Sequence, residues 1–206
     1  MKVLMINGSP REKGCTFTAL KEVQKALDMD GVESEIVWLG TKAISGCIAC
    51  NQCSKLGHCV FDDKVNEVNS RADEFDALIV GGPVYYGGIC AQLTAFLDRL
   101  FYSASGKWHH KLGAAITSCR RAGSTASLQR LNQYFLIGNM HIVGSQYWNM
   151  VHGNTLEQVM QDEEGLQIMR TLGHNMAWML KNVEAGKEKG ITLPEKEPRK
   201  QTNFIR

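Results

Sequence analysis

Apolar positions along this chain follow two alternating rhythms. Lys2–Asn7, Glu35–Leu39, Ala77–Val80, Leu112–Thr117 and His141–Gln146 are short, mostly apolar runs of strand length. Between them, apolar residues recur every three or four positions: Phe17, Leu20, Val23 and Leu27, then Val65, Val68, Ala72 and Phe75. Leu93, Phe96, Leu97 and Leu100 form the third such set. Leu128, Leu131 and Phe135 form the fourth, and Leu166, Met169, Leu172, Met176 and Leu180 the last. The first rhythm is that of buried strands and the second that of helices packed on one face. The helix over the second set is expected to start at Asp62 or Asp63. Five strands alternating with five helices predict an α/β fold, a parallel sheet covered on both sides. Near-continuous apolar strands fit burial on both faces.

Composition narrows the class without naming a function. The chain has 206 residues, enough for one domain with a sizeable core. It is expected to form a domain over 1–183 followed by a charged tail or arm at 184–206, with Pro194 and Pro198. The net charge of +2 argues for neither nucleic acid nor an anionic membrane as partner. No apolar run reaches bilayer length, and the N-terminus does not read as a signal peptide. A cytoplasmic location is therefore expected. In that compartment seven cysteines point to metal, redox or core roles rather than disulfides.

Three loops at strand ends carry candidate chemistry. Gly8-Ser9-Pro10-Arg11-Glu12-Lys13-Gly14-Cys15-Thr16 joins the first strand to the first helix. Free N–H groups and the helix dipole make such a turn an anion site. Ser9 and Thr16 add hydroxyls, and Arg11 or Lys13 adds charge. It is neither a Walker loop nor a G-x-G-x-x-G fingerprint; the alternative is an ordinary turn with a Thr cap. Gly81-Gly82-Pro83-Val84-Tyr85-Tyr86-Gly87-Gly88-Ile89 follows the third strand, at the edge where open α/β sheets bind ligands. Glycines there let backbone approach a planar ligand and a tyrosine stacks on it; the alternative is a turn with two packing tyrosines. Ser118-Cys119-Arg120-Arg121-Ala122-Gly123-Ser124 reaches the same edge after the fourth strand.

The chain also holds Cys47, Cys50, Cys53 and Cys59, a C-x₂-C-x₂-C-x₅-C run. Compact runs of this kind hold iron–sulfur clusters. Structural zinc favours two well-separated Cys-x₂-Cys knuckles, so it fits less well. Bare thiols, packed or forming a reversible disulfide, are the third reading. Cys90 and Cys119 read as small buried residues.

The Gly8-Ser9-Pro10-Arg11…Gly14-Cys15-Thr16 and Gly82-Pro83-Val84-Tyr85-Tyr86-Gly87 segments resemble the FMN loops of flavodoxin-like NAD(P)H-dependent FMN reductases. The helix Ala91-Gln92-Leu93…Phe96-Leu97-Asp98-Arg99-Leu100 strengthens the likeness, which extends to the terminal Thr202-Asn203-Phe204-Ile205-Arg206. With the cysteine run included, the resemblance is closest to iron–sulfur flavoproteins of that superfamily. Cys15 departs from the pattern, because relatives usually carry Asn there.

The resemblance implies a flavodoxin-like three-layer sandwich with a five-stranded parallel sheet in the order 2-1-3-4-5. It implies FMN held by Ser9, Arg11, Cys15 and Thr16 at the phosphate. Pro83, Val84, Tyr85, Tyr86 and Gly87 would border the ring, with Ser118 and Cys119 contributing from the third loop. It implies an oxidoreductase taking electrons from NAD(P)H or a ferredoxin-like donor and passing them to a flavin, quinone or similar acceptor. A [4Fe–4S] cluster on Cys47, Cys50, Cys53 and Cys59 would relay single electrons near the interface of a homodimer or tetramer. A flavodoxin-type electron carrier is the competing class, and such carriers are usually strongly acidic. No side-chain acid or base is assigned.

Overall fold

The computed structural model describes residues 1–198, 200 and 202; residues 203–206, included in the resemblance, lie outside them. Its centre is a parallel sheet built from the apolar runs. β1 (Lys2–Asn7), β2 (Glu33–Trp38) and β3 (Ala77–Tyr85) come first. β4 (Gly88–Ile89), β5 (Leu112–Cys119), β6 (His141–Ile142) and β7 (Met150–His152) follow. The main order is β2-β1-β3-β5-β6, the expected 2-1-3-4-5 once the small β4 is set aside. Every pairing along it is parallel.

Two apolar layers flank the sheet. On one face α1 (Cys15–Met29) and α7 (Glu163–Glu188) pack over Val3, Met5, Ile79 and Ile116. On the other, α3 (Lys64–Ser70), α4 (Ala91–Ser103) and α5 (Ser124–Ile137) pack over Leu4, Ile6, Leu78 and Val80. Alternate residues of one strand thus feed opposite cores, as the period of two requires. Two four-residue helices complete the set, α2 (Cys53–Leu56) and α6 (Leu156–Val159).

Four elements differ from expectation. The fifth strand is not continuous over His141–Gln146. β6 pairs with Leu112 and Gly113, the chain then leaves the sheet, and β7 returns to pair with Thr117, Ser118 and Cys119. The helix expected through Phe75 ends at Ser70, and a 3₁₀ turn over Ala72–Glu74 delivers Phe75 to the core. The third strand does not stop at Val80; it runs to Tyr85 and folds back as β4. The last helix continues to Glu188, past the 183/184 boundary.

Candidate functional site

The parallel register gathers the ends of β1, β3 and β5 at one edge. Asn7 pairs with Gly81, Gly81 with Ile116, and Pro83 with Ser118. Hydrogen bonds then lock the loops above that edge. Gly8 N–H donates to Gly81 O at 2.8 Å, and Cys90 Sγ donates to Gly8 O at 3.3 Å. The hydroxyls of Thr16 and Ser118, both buried, lie 2.8 Å apart. The loop before α1 folds on itself: Ser9 Oγ accepts from Arg11 N–H, and Asn7 Nδ2 donates to Glu12 O at 2.9 Å. Trp38 Nε1 donates to Ser9 O at 2.7 Å, a tie from β2 that the sequence pattern did not signal.

The ring loop is a tight hairpin. Tyr86 and Gly87, between β3 and β4, have φ of 50° and 79°. Two central residues at positive φ make the turn that matches strand twist. Tyr86 is fully exposed and Tyr85 half-exposed. Gly123, at φ 91°, presses against this hairpin: a Cβ there would stand 2.7 Å from Gly87 Cα and 2.8 Å from Val84 Cγ1.

Helix starts at this edge differ from those of α3, α6 and α7. α1, α4 and α5 start at Gly14, Cys90 and Gly123 with no side chain bonded to their first N–H groups. By contrast α3, α6 and α7 are capped by Asp63, Thr155 and Asp162. Uncapped first turns leave N–H donors and positive dipole ends available to an anion or to developing negative charge. Burial pushes the thiols of Cys15, Cys90 and Cys119 up, which keeps them protonated. Arg120 and Arg121 are exposed.

The cysteine run forms a second, separate site. Cys47, Cys50, Cys53 and Cys59, all free thiols, line one small pocket that is partly open to solvent. Its wall includes Phe61, Arg99 and Tyr102. Ala49 and Asn51, between the first three cysteines, both stand at positive φ, 52° and 55°. A left-handed alanine is uncommon and costs roughly 1–2 kcal/mol, so the loop holds a conformation that its sequence does not favour locally. Among the described residues no three His, Cys, Asp or Glu side chains are drawn into metal-binding geometry. All four cysteines are free thiols and line the same pocket.

The two ends of this loop are held differently. Cys47 and Cys50 are exposed. At Cys59, Asn66 clamps the backbone on both sides: Oδ1 accepts Cys59 N–H at 2.9 Å, and Nδ2 donates to Cys59 O at 2.8 Å. Arg99 Nε donates to Cys59 Sγ at 3.2 Å. Arg99 lies on α4, the helix that begins at the loop edge. From Ala91 to Arg99 that helix rises roughly 12 Å at about 1.5 Å per residue.

The sequence profile of NADPH-dependent FMN reductases matches residues 1–155, which include all three strand-end loops and the cysteine run. The chain belongs to the NADPH-dependent FMN reductase family. It is 33% identical over 192 residues to an iron-sulfur flavoprotein of Methanocaldococcus jannaschii, covering 89% of this chain and 100% of the relative. It is 29% identical over 196 residues to an iron-sulfur flavoprotein of Methanosarcina thermophila, covering 92% and 100%. Among solved structures, a WrbA-like flavodoxin from Agrobacterium tumefaciens superposes with a TM-score of 0.62 at 17% identity, covering 88% of this chain and 98% of that one. That likeness is of fold. As a family member the chain is an oxidoreductase with a flavodoxin-like fold. No helix among the described residues is long and apolar enough to cross a membrane.

In this FMN reductase family member, Ser9, Thr16, Ser118 and Cys119 are buried at the strand-end edge, whereas Arg11 is exposed. Pro83 to Gly87 form the arm and turn of the hairpin. The pairing of Arg99, which lines the cysteine pocket, with Asp63 carried no signal in the sequence. The two lie 36 residues apart, beyond any local pattern.

Proposed function

We propose that this protein is an FMN-dependent oxidoreductase that binds FMN at the strand-end edge and an iron–sulfur cluster in the cysteine pocket. The observation that carries the flavin reading is the convergence of three uncapped helix starts on loops locked to one another. The α1 start, with Ser9, Arg11, Cys15 and Thr16, binds the phosphate through backbone N–H groups and hydroxyls. The hairpin from Pro83 to Gly87 walls the ring, and Ser118 and Cys119 close the opposite side. The α4 and α5 starts direct their positive ends toward the ring and favour negative charge developing there. FMN, when bound, supplies the hydride- and electron-accepting chemistry.

The four thiols fit an iron–sulfur group: all are free, and they share one wall-lined pocket. Cys47, Cys50, Cys53 and Cys59 would hold it, and it would supply one-electron transfer. Electrons come from NAD(P)H or a ferredoxin-like donor and leave to a flavin, quinone or similar acceptor. A homodimer or tetramer, with the cluster of one subunit near the FMN of another, is part of this reading. Its support is the separation of the two sites along α4 within one chain.

The test is an anaerobic preparation assayed for FMN, iron, sulfide and zinc per chain. The reading expects one FMN and about four irons and four sulfides. Flavin without iron removes the cluster and leaves the reductase. Turnover of NAD(P)H with a quinone or dye separates an enzyme from a flavodoxin-type carrier, which would show none.

A further inference from the structure

Arg99 is the one arginine of the chain whose side chain is almost wholly buried among the described residues, at 1% exposure. An interior guanidinium is costly unless its donors are spent, and here each nitrogen has a partner. Nη1 and Nη2 form a two-pronged pair with Asp63, at 2.6 and 2.9 Å. Nη1 also donates to Ser45 O at 3.3 Å and Nη2 to Phe61 O at 3.2 Å. The guanidinium carbon stacks 4.8 Å from the centre of the Phe61 ring. What remains, Nε–H, points at Cys59 Sγ, 3.2 Å away. Burial works against the Arg99 charge, yet the bonds to Asp63 and Cys59 more than offset it and hold the group charged.

Buried as it is, that last donor needs an acceptor, and the one the fold supplies is sulfur. The Asp63 fork and Phe61 stack would anchor α4 to the cysteine loop without it. We propose that Arg99 is a positioning residue of the cysteine pocket: it fixes Cys59 as the preorganised ligand and, through its N–H···S bond, raises the reduction potential of the iron–sulfur centre. This rests on the cluster reading above. Reduction adds one electron to the centre and no proton. A donor N–H and a neighbouring positive charge favour the more negative, reduced form, and bonds to cluster sulfurs are an established lever on potential. Asp63 moderates the effect, because its carboxylate partly neutralises the guanidinium. The same carboxylate caps α3 by accepting Val65 N–H at 3.1 Å. Asparagine caps helices equally well, so Asp63→Asn removes the charge and keeps the cap.

The experiment measures the midpoint of the iron–sulfur centre by dithionite titration followed by electron paramagnetic resonance. It uses the wild-type holoprotein, Arg99→Lys and Asp63→Asn. Iron, sulfide and FMN contents and the flavin midpoint are recorded beside it. Lysine can pair with Asp63 but has no planar fork to reach Cys59 at the same time. The expected result is a downward shift in Arg99→Lys of about 59 mV, a tenfold change for one electron. Asp63→Asn shifts the midpoint upward, and the flavin midpoint stays put in both. Opposite signs from two partners of one ion pair are not what a merely structural role produces. Unshifted midpoints, or shifts of the same sign, overturn the inference while leaving the cluster in place. A wild-type chain without iron overturns the cluster reading and the inference with it. If Arg99→Lys does not fold, the Asp63→Asn midpoint decides alone: upward supports, unchanged or downward overturns.

Discussion

The strand-end edge and the cysteine loop are built in opposite ways. At the edge, the loop after β1, the first turn of α1 and the ends of β3 and β5 bond directly to one another through backbone and buried hydroxyls. In the cysteine loop, one end is clamped by Asn66 and Arg99 while Cys47 and Cys50 stand in solvent. The edge has its shape before any ligand arrives. The loop is fixed at Cys59 and open at Cys47 and Cys50. A flavin at the edge would enter a preformed seat, whereas the proposed cluster would couple metal binding to local ordering at the cysteines.

The strongest way to break this contrast is Cys50→Ser. It is expected to abolish iron and sulfide while leaving FMN content within error of wild type, read from metal analysis and the visible spectrum. Loss of FMN as well would show that the two sites are not separate. Removing the metal by oxidation and chelation should likewise open the segment 46–58 to proteolysis, with FMN retained; a protected loop would contradict the coupling.

Next in size is Gly123→Ala. The new Cβ meets Gly87 and Val84 below 3.0 Å at a φ that side chains avoid. Backbone strain there costs roughly 1–2 kcal/mol, so the FMN dissociation constant should rise about tenfold, with iron unchanged. Fluorescence quenching on FMN titration measures it. Thr16→Val is smaller. It strips Ser118 of its buried partner and should cost about 1 kcal/mol, a fall in melting temperature of roughly 2–4 °C.

The smallest effect lies away from both sites. Arg71 holds the Glu35 carboxyl down from the ordinary 4.5 to about 2, against the opposing pull of burial and with help from Lys2. The folded value is depressed, so this stabilisation is complete above 4.5 and is lost as pH falls toward 2. Glu35→Gln should flatten that acid limb while changing stability at pH 7 by no more than about 1 kcal/mol. Iron and FMN contents should not move.

How far the sequence announced these features follows from their range. Strands β1, β3 and β5 are continuous apolar runs between turns, and burial on both faces needs nothing else, so they were legible. The start of α3 was legible too, since Asp63 is a local cap. The split of the fifth strand was not. β6 and β7 pair with opposite ends of β5, and no local period marks where the chain leaves the sheet between them. The hairpin at Tyr86 hides for a related reason: a tyrosine at positive φ is set by the β3–β4 pairing, not by its own preference. The three loops at the edge were readable because glycines and hydroxyls near strand ends are local signs. The Trp38 bond to Ser9 and the Arg99 bond to Cys59 span 29 and 40 residues, and only the fold brings them together.

Helix α4 has a further consequence. Its first turn faces the strand-end edge and its ninth residue reaches Cys59, so it works as a ruler between the two sites. One inserted residue before Arg99 would rotate the guanidinium by about 100° around the helix axis and point it away from the sulfur. The loops on either side can lengthen without that penalty. The distance and helical phase between the strand-end edge and the cysteine pocket are thus written in a single rod, and changing the number of residues in it would change both at once.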